Sequence, residues 1–168
     1  MGMGNVGSVI REYRREDLEA MFRLDEICFE AAFRFSRRTM RAFAEKRDSM
    51  VVLAERAEAV AGFVIVHLEE WEGERCGYVV TLDVAPDERR RGLAGMLMAE
   101  AERRVLEAGV QEMALHVAEG NLGAIRFYEG RGYVLAGREV GFYTEAGVDG
   151  LVYAKVLEGK GEAAHVVE

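Results

Sequence analysis

Proline occurs once in the 168 residues, tryptophan once, cysteine twice and histidine three times. With a single proline and 19 glycines, the turns fall mainly to glycine. Cys28 and Cys76 lie far apart without a Cys-x-x-Cys spacing, and His67, His116 and His165 share no metal-ligand spacing. A disulfide framework and a zinc site are therefore not expected, and two structural thiols in a reducing compartment are. Long apolar runs are also missing: Ala59 to Leu68 spans about ten residues and includes His67, against the ~20 needed to cross a bilayer. The N-terminal stretch has neither the basic flank nor the apolar segment of a secretory signal, so a cytoplasmic location is expected. Positive charge is in deficit, with 22 Lys+Arg against 30 Asp+Glu and a net charge of −8. Such a field repels phosphate backbones and argues against nucleic acid or an anionic membrane as the main partner. Any anion site must be a local patch.

What is present is a core. Half of the residues are hydrophobic and 31% charged, the balance of an ordinary globular chain. The length predicts one domain, 8–157, followed by a loose tail, 158–168. Ser8–Tyr13 reads as a strand. Asp17–Phe29 reads as an amphipathic helix with Leu18, Met21, Phe22 and Ile27 on its apolar side. Ser36 is placed to cap a second helix carrying Met40, Phe43 and Ala44. Three β-rich runs, Met50–Arg56, Val60–Glu69 and Gly77–Ala85, are separated by turns at Glu58 and Glu72-Gly73, which predicts an antiparallel meander. Pro86 ends the third run. Leu93, Met96, Leu97, Ala101 and Val105 then recur at helical spacing, with Gly109 as the cap that follows. Gln111–Ala118, Asn121–Arg131, Tyr133–Tyr143 and Gly147–Leu157 complete the order as strand, helix and two strands. This order predicts an α/β fold built on one mixed sheet with helices on its faces.

The segment from Val84 to Gly95 runs from a strand through a glycine-containing turn into a long helix. A helix start offers unpaired backbone N–H groups and the positive end of the macrodipole, and Arg89, Arg90 and Arg91 add charge. It is an anion cradle, but neither a GxxxxGK[ST] loop nor a GxGxxG turn.

Arg89-x-x-Gly92-x-Ala94, after Leu82-Asp83-Val84-Ala85-Pro86, resembles the pyrophosphate-binding motif of the GNAT acetyltransferases. Asn121-x-x-Ala124-x-x-Phe127-Tyr128, ending at Gly132-Tyr133, resembles the downstream motif of that family. The likeness runs from about Val9 to Leu157. It implies a mostly antiparallel sheet whose fourth and fifth strands are parallel and splay apart to form an acetyl-CoA cleft. It further implies that Leu82 and Val84 meet the pantetheine through their backbone. Arg89, Arg90, Arg91, Gly92, Leu93, Ala94 and Gly95 would meet the pyrophosphate, and Asn121 would position the cosubstrate. Tyr128 would lie near the sulfur, where a phenol can protonate the departing thiolate.

Within the family the likeness is strongest to Nα-terminal protein acetyltransferases, including the ribosomal-protein-alanine type. Leu115-His116-Val117 before Asn121, Gly77-Tyr78 before Thr81-Leu82, and Phe142-Tyr143 with Asp149 carry it. His116 and Tyr78 then form the expected base system, since an imidazole of ordinary pKa about 6.5 can accept a proton at neutral pH, directly or through water. The oxyanion would meet a backbone N–H near Val84. An α-amine at about 8 is ~3.3 kcal/mol easier to deprotonate than a lysine at about 10.4, which suits a mild base. Phe29, Phe33, Phe142 and Tyr143 are the expected acceptor-binding residues. The loop from Phe29 to Phe35 lacks the proline usual in relatives, Phe142 replaces the first tyrosine of a pair, and Gly150 stands where alanine is usual. The expected activity is direct acetyl transfer from acetyl-CoA, without a metal, to the N-terminal amine of a protein or peptide, such as a ribosomal protein. A small-molecule amine as acceptor and a non-catalytic acyl-CoA-binding module are the alternatives. Either a monomer or a homodimer fits the sequence.

Overall fold

The computed structural model describes residues 7–158. The elements are β1 (Val9–Glu12), α1 (Leu18–Cys28), α2 (Arg37–Glu45), β2 (Ser49–Arg56), β3 (Ala59–Trp71), β4 (Glu74–Val84), α3 (Leu93–Glu107), β5 (Glu112–Ala118), α4 (Leu122–Gly130), β6 (Val134–Tyr143) and β7 (Val148–Val156). The strands hydrogen-bond in the order β1-β2-β3-β4-β5-β7-β6, antiparallel apart from the parallel pair β4 and β5. This is the mixed α/β class expected. The predicted tail, apart from Glu158, lies outside the described residues, as does His165.

The chain divides into two compact units, one comprising residues up to His67 with Val80–Ala101, the other Leu68–Val79 with residues from Glu102 onward. In the first unit, β1, β2 and β3 form an antiparallel ladder in which Arg11 opposes Leu53 and Val52 opposes Val64. The β2–β3 turn places Ala57 and Glu58 at φ 50° and 64°, the double left-handed conformation of a tight hairpin. Val51–Ala54 and Ala61–His67 are buried at every position, so neither strand alternates. Met21 and Leu24 of α1, Met40 and Ala44 of α2, and Leu53, Phe63 and Ile65 make one core. Complete burial of a side chain such as Phe63 contributes about 2–3 kcal/mol. Ser36 caps α2 as expected, its hydroxyl accepting from the Thr39 amide at 3.1 Å. Two apolar positions differ from expectation. Ile27 is 65% exposed and Met96 43% exposed, while Asp25 and Met98 take the buried places beside them.

Asp25 fills a core position because it has partners there. Its Oδ2 accepts the Phe35 amide at 2.9 Å, and Asp83 Oδ1 accepts the Thr81 hydroxyl at 2.5 Å. Asp25 Oδ1 and Asp83 Oδ2 are buried without another hydrogen-bond partner, and the two carboxyl groups interact, so a proton shared between them would satisfy both. Burial pushes both above the usual carboxylate range, Asp83 well above it with Asp25 adding to the effect. Arg34 and Arg89 oppose the shift and Glu26 reinforces it.

In the second unit, parallel pairing of β4 with β5 covers three positions: Gly77 with Met113, Tyr78 with Ala114 and Val79 with Leu115. A ladder this short is what strands that splay require. On its other side β5 pairs with β7 along its whole length, and β7 with the largely exposed β6. Met113, Leu115, Val105 and Tyr153 are buried here. So is Glu102, which accepts from the Tyr133 hydroxyl and the Lys155 ammonium, both at 3.0 Å. Gly109 ends α3, its amide donating to Leu106 at 2.9 Å.

The carboxyl pair has a consequence for stability against pH. A folded-state pKa above the unfolded value means that the folded chain holds a proton the unfolded chain releases, so stability falls as pH rises above about 4. Asp83→Asn keeps a hydrogen bond to each neighbour without needing that proton. Its melting temperature is expected to gain on that of the wild type between about pH 5 and pH 8 in thermal unfolding. Parallel curves for the two proteins would refute the shared proton.

Candidate active site

In the first unit, β4 ends at Val84 and the chain turns through Pro86–Glu88 toward α3. The Val84 carbonyl accepts from the Cys28 thiol and from Arg89 Nε, both at 3.3 Å, so the turn is tied to the strand end. Burial pushes the Cys28 thiol up, which keeps it a donor. Arg90 and Gly92 stand at φ 72° and 77° with Arg91 between them in the ordinary region. This alternation turns successive amides to one side, the geometry of an anion-binding nest. Gly92 is where the glycine matters: the left-handed angle favours it, and a Cβ there would meet nothing within 4 Å, leaving room for a ligand. Leu93 is buried, whereas Arg89, Arg90 and Arg91 are exposed.

The second unit carries the rest. Asn121 caps α4 by accepting the Ala124 amide at 3.2 Å. Tyr128, about two turns further on, is 8% exposed and meets Tyr133 edge-on at 5.5 Å. Tyr78 and His116 are in contact: the phenol oxygen lies 2.8 Å from Nδ1 of the imidazole. Nε2 lies 3.0 Å from Glu139 Oε1. Phe142 stacks flat on the imidazole, 3.8 Å away at 3°. Trp71 lies 5.4 Å from the Tyr78 ring and 6.0 Å from His116. The histidine side chain is thereby 5% exposed. Burial holds the Tyr78 phenol well above its ordinary range, so it is protonated at neutral pH.

The family model described as Acetyltransferase (GNAT) family matches residues 18–133. The chain belongs to this family. It is 33% identical over 105 residues to the catalytic subunit NAA10 of the N-terminal acetyltransferase A complex of Arabidopsis thaliana, covering 60% of this chain and 53% of that protein. It is 35% identical over 72 residues to the ard1 catalytic subunit of Schizosaccharomyces pombe, covering 41% of each. The chain spans about half the length, or less, of the curated relatives it matches. Among solved structures, Ard1 from Thermoplasma volcanium superposes with a TM-score of 0.81 at 18% identity, over 92% of this chain and 100% of that one. The ribosomal-protein-S18-alanine N-acetyltransferase of Escherichia coli gives 0.79 at 22% identity, over 93% and 97%. These superpositions show the same fold.

Of the acceptor-binding residues expected in this GNAT chain, Phe29 and Phe33 lie half-buried in the first unit. Phe35 beside them is structural, meeting Phe43 edge-on at 5.3 Å. Phe142 and Tyr143 lie in the second unit, where burial pushes the Tyr143 phenol up to about 12. Phe142 reaches His116 because β6 breaks register between Glu139 and Tyr143. Asp149 holds that irregularity, accepting the Gly141 amide at 2.9 Å and Arg138 at 2.8 Å. Those two bonds, the amide first, keep its carboxyl below the usual range. Gly150 supplies the space. Sequence reasoning missed Glu139, Trp71 and the Asp25–Asp83 pair, none of which has a local sequence signal. A trough of about 590 Å³ also opens in the second unit, lined by Trp71, Glu72, Glu74, Cys76 and Glu112 among others.

A Cβ on Gly150 would stand 2.9 Å from Phe142 Cβ and 3.0 Å from its ring, closer than the ring can tolerate in place. In Gly150→Ala the ring is expected to leave His116, and carbethoxylation of His116, followed by mass spectrometry, to be faster than in the wild type. An unchanged rate would show that the glycine is not what seats Phe142.

Proposed function

We propose that the chain is an acetyl-CoA-dependent N-acetyltransferase whose acceptor is the N-terminal α-amine of a protein or peptide. The observation that carries this reading is the 2.8 Å contact between Tyr78 and His116. Two proton-transfer groups held together in a water-poor aromatic setting are what an amine acceptor needs, because only the neutral amine attacks a thioester. Relatives named for N-terminal acetylation, at 33% and 35% identity, support the same acceptor.

The residues take these roles. Amides of the turn from Arg89 to Gly95, with its arginines, bind the pyrophosphate, and backbone groups of Leu82 and Val84 bind the pantetheine. Asn121 starts the helix that carries Tyr128. The amine gives up a proton to the Tyr78–His116 pair and attacks the acetyl carbonyl, whose oxygen takes negative charge and is met by a backbone N–H near Val84. The C–S bond then breaks, and Tyr128 protonates the departing thiolate. Tyr143 donates a hydrogen bond to the acceptor's backbone.

A small cationic amine is the second reading. The trough beside Trp71 favours it, since Glu72, Glu74 and Glu112 outnumber the one lining arginine, Arg138, and leave its walls with net negative charge.

Thiol release from acetyl-CoA, measured with lysine-free peptides beginning Ala, Ser or Met and with polyamines and free amino acids, separates the possibilities when a mass spectrum locates the acetyl group. Acetylation of a peptide N-terminus is expected, with His116→Ala and Tyr128→Phe each reducing kcat by about a hundredfold or more. Turnover only with a small amine would support the second reading. Cosubstrate binding without turnover on any amine would leave a non-catalytic acyl-CoA-binding module.

A further inference from the structure

His116 has both ring nitrogens engaged, and the chemistry of one partner decides the state of the other. Nε2 lies 3.0 Å from Glu139 Oε1, and Nδ1 lies 2.8 Å from the Tyr78 hydroxyl. An ionised carboxylate can only accept, so Nε2 must carry the hydrogen. In the neutral imidazole Nδ1 is then a bare acceptor, and the only hydrogen available for the 2.8 Å contact is that of the phenol. Phe142 covers the face of the ring at 3.8 Å, and the side chain is 5% exposed. The imidazole therefore has no open nitrogen to present to an amine.

We propose that Glu139 is a positioning residue that holds His116 in the Nε2–H tautomer, making the Tyr78 oxygen, not the imidazole, the atom that takes the acceptor's proton. The catalytic consequence rests on the acetyltransferase reading; the tautomer does not. As the amine nitrogen bonds to the thioester carbon, its proton passes to the Tyr78 oxygen and the phenol's own proton passes to Nδ1. The C–S electron pair leaves with sulfur, which takes a proton from Tyr128. The acceptor has lost one proton and the thiolate has gained one. His116 holds the first as imidazolium, stabilised by Glu139, until it is lost to water, and water in turn returns a proton to Tyr128. Glu139 suits that loss, because its side chain is 57% exposed while the ring it touches is buried.

The arrangement differs from a surface ion pair kept for stability, which at this exposure would contribute little. Removing Glu139 should leave the fold intact and change the state of the ring. In the full chain labelled with 15N-histidine, two-bond proton–nitrogen correlation reads the tautomer directly, with His116 assigned by its loss in His116→Asn. The wild type is expected to show a single Nε2–H tautomer. Glu139→Ala should show a mixture of tautomers, with kcat lower by about tenfold or more, KM for acetyl-CoA unchanged and the melting temperature close to that of the wild type. Glu139→Gln, whose carbonyl still accepts, should keep the single tautomer and recover part of kcat. A wild-type Nδ1–H tautomer, or an unmixed Nε2–H tautomer in Glu139→Ala, would overturn the proposal. Absence of turnover by the wild type on every amine would instead overturn the acetyltransferase reading, with the tautomer result still deciding the place of Glu139.

Discussion

The second unit depends on the register of two parallel strands. Pairing Tyr78 with Ala114 puts Tyr78 and His116, two residues further along β5, on one face of the sheet and within reach of a hydrogen bond. A slip by one residue would turn one of the two side chains to the opposite face. Because β5 also pairs with β7, the same register opposes His116 to Val152 and Ala118 to Gly150. From there it continues to β6, whose Glu139 opposes Gly150. The imidazole, phenol, carboxylate and stacked phenyl ring come from three strands, and a ladder of three residue pairs sets the first of those meetings.

Among the described residues, buried polar side chains in both units are met by partners of matching chemistry at all but three atoms, Asp25 Oδ1, Asp83 Oδ2 and Arg131 Nε. Asp25 occupies a place on the apolar side of α1, where the Phe35 amide bonds one oxygen and the interacting Asp83 carboxyl lets a shared proton satisfy the other. Glu102 is buried in α3, where a phenol and an ammonium meet it. His116 is enclosed by aromatic rings with both nitrogens bonded. Removing one partner from such a set costs more than the bond itself, because the remaining group stays desolvated and unsatisfied. These groups therefore specify which loop meets which strand, a task that apolar contacts perform less selectively.

Much of the fold was legible along the chain. Ser36 as a cap, the helix beginning at Asn121, the glutamate–glycine turn before β4, the stripe Leu93, Leu97, Ala101 and Val105, and the strand runs depend on neighbours within a few residues, and the structure places them where periodicity and turn chemistry do. The α1 face was misread because Asp25 is polar by composition and buried by partnership. Its partners come from Phe35 and Asp83, so no window around α1 contains the reason. Met96 has helical spacing to the core residues of α3 but lies on its exposed side, while Leu97 and Met98 are buried.

For the site the division is the same. The sequence by itself determined the anion-binding turn, since its glycine and arginines are contiguous and the geometry of a helix start is local. It also determined the family through two spaced motifs, and singled out Tyr78, His116 and Tyr128. Only the tertiary structure decided that Tyr78 and His116 bond to each other, that Glu139 closes the second nitrogen, and that Gly150 makes room for Phe142. Those contacts join residues far apart in the chain through strand register and a bulge. Register is a collective property of the packed sheet, so no single segment encodes it.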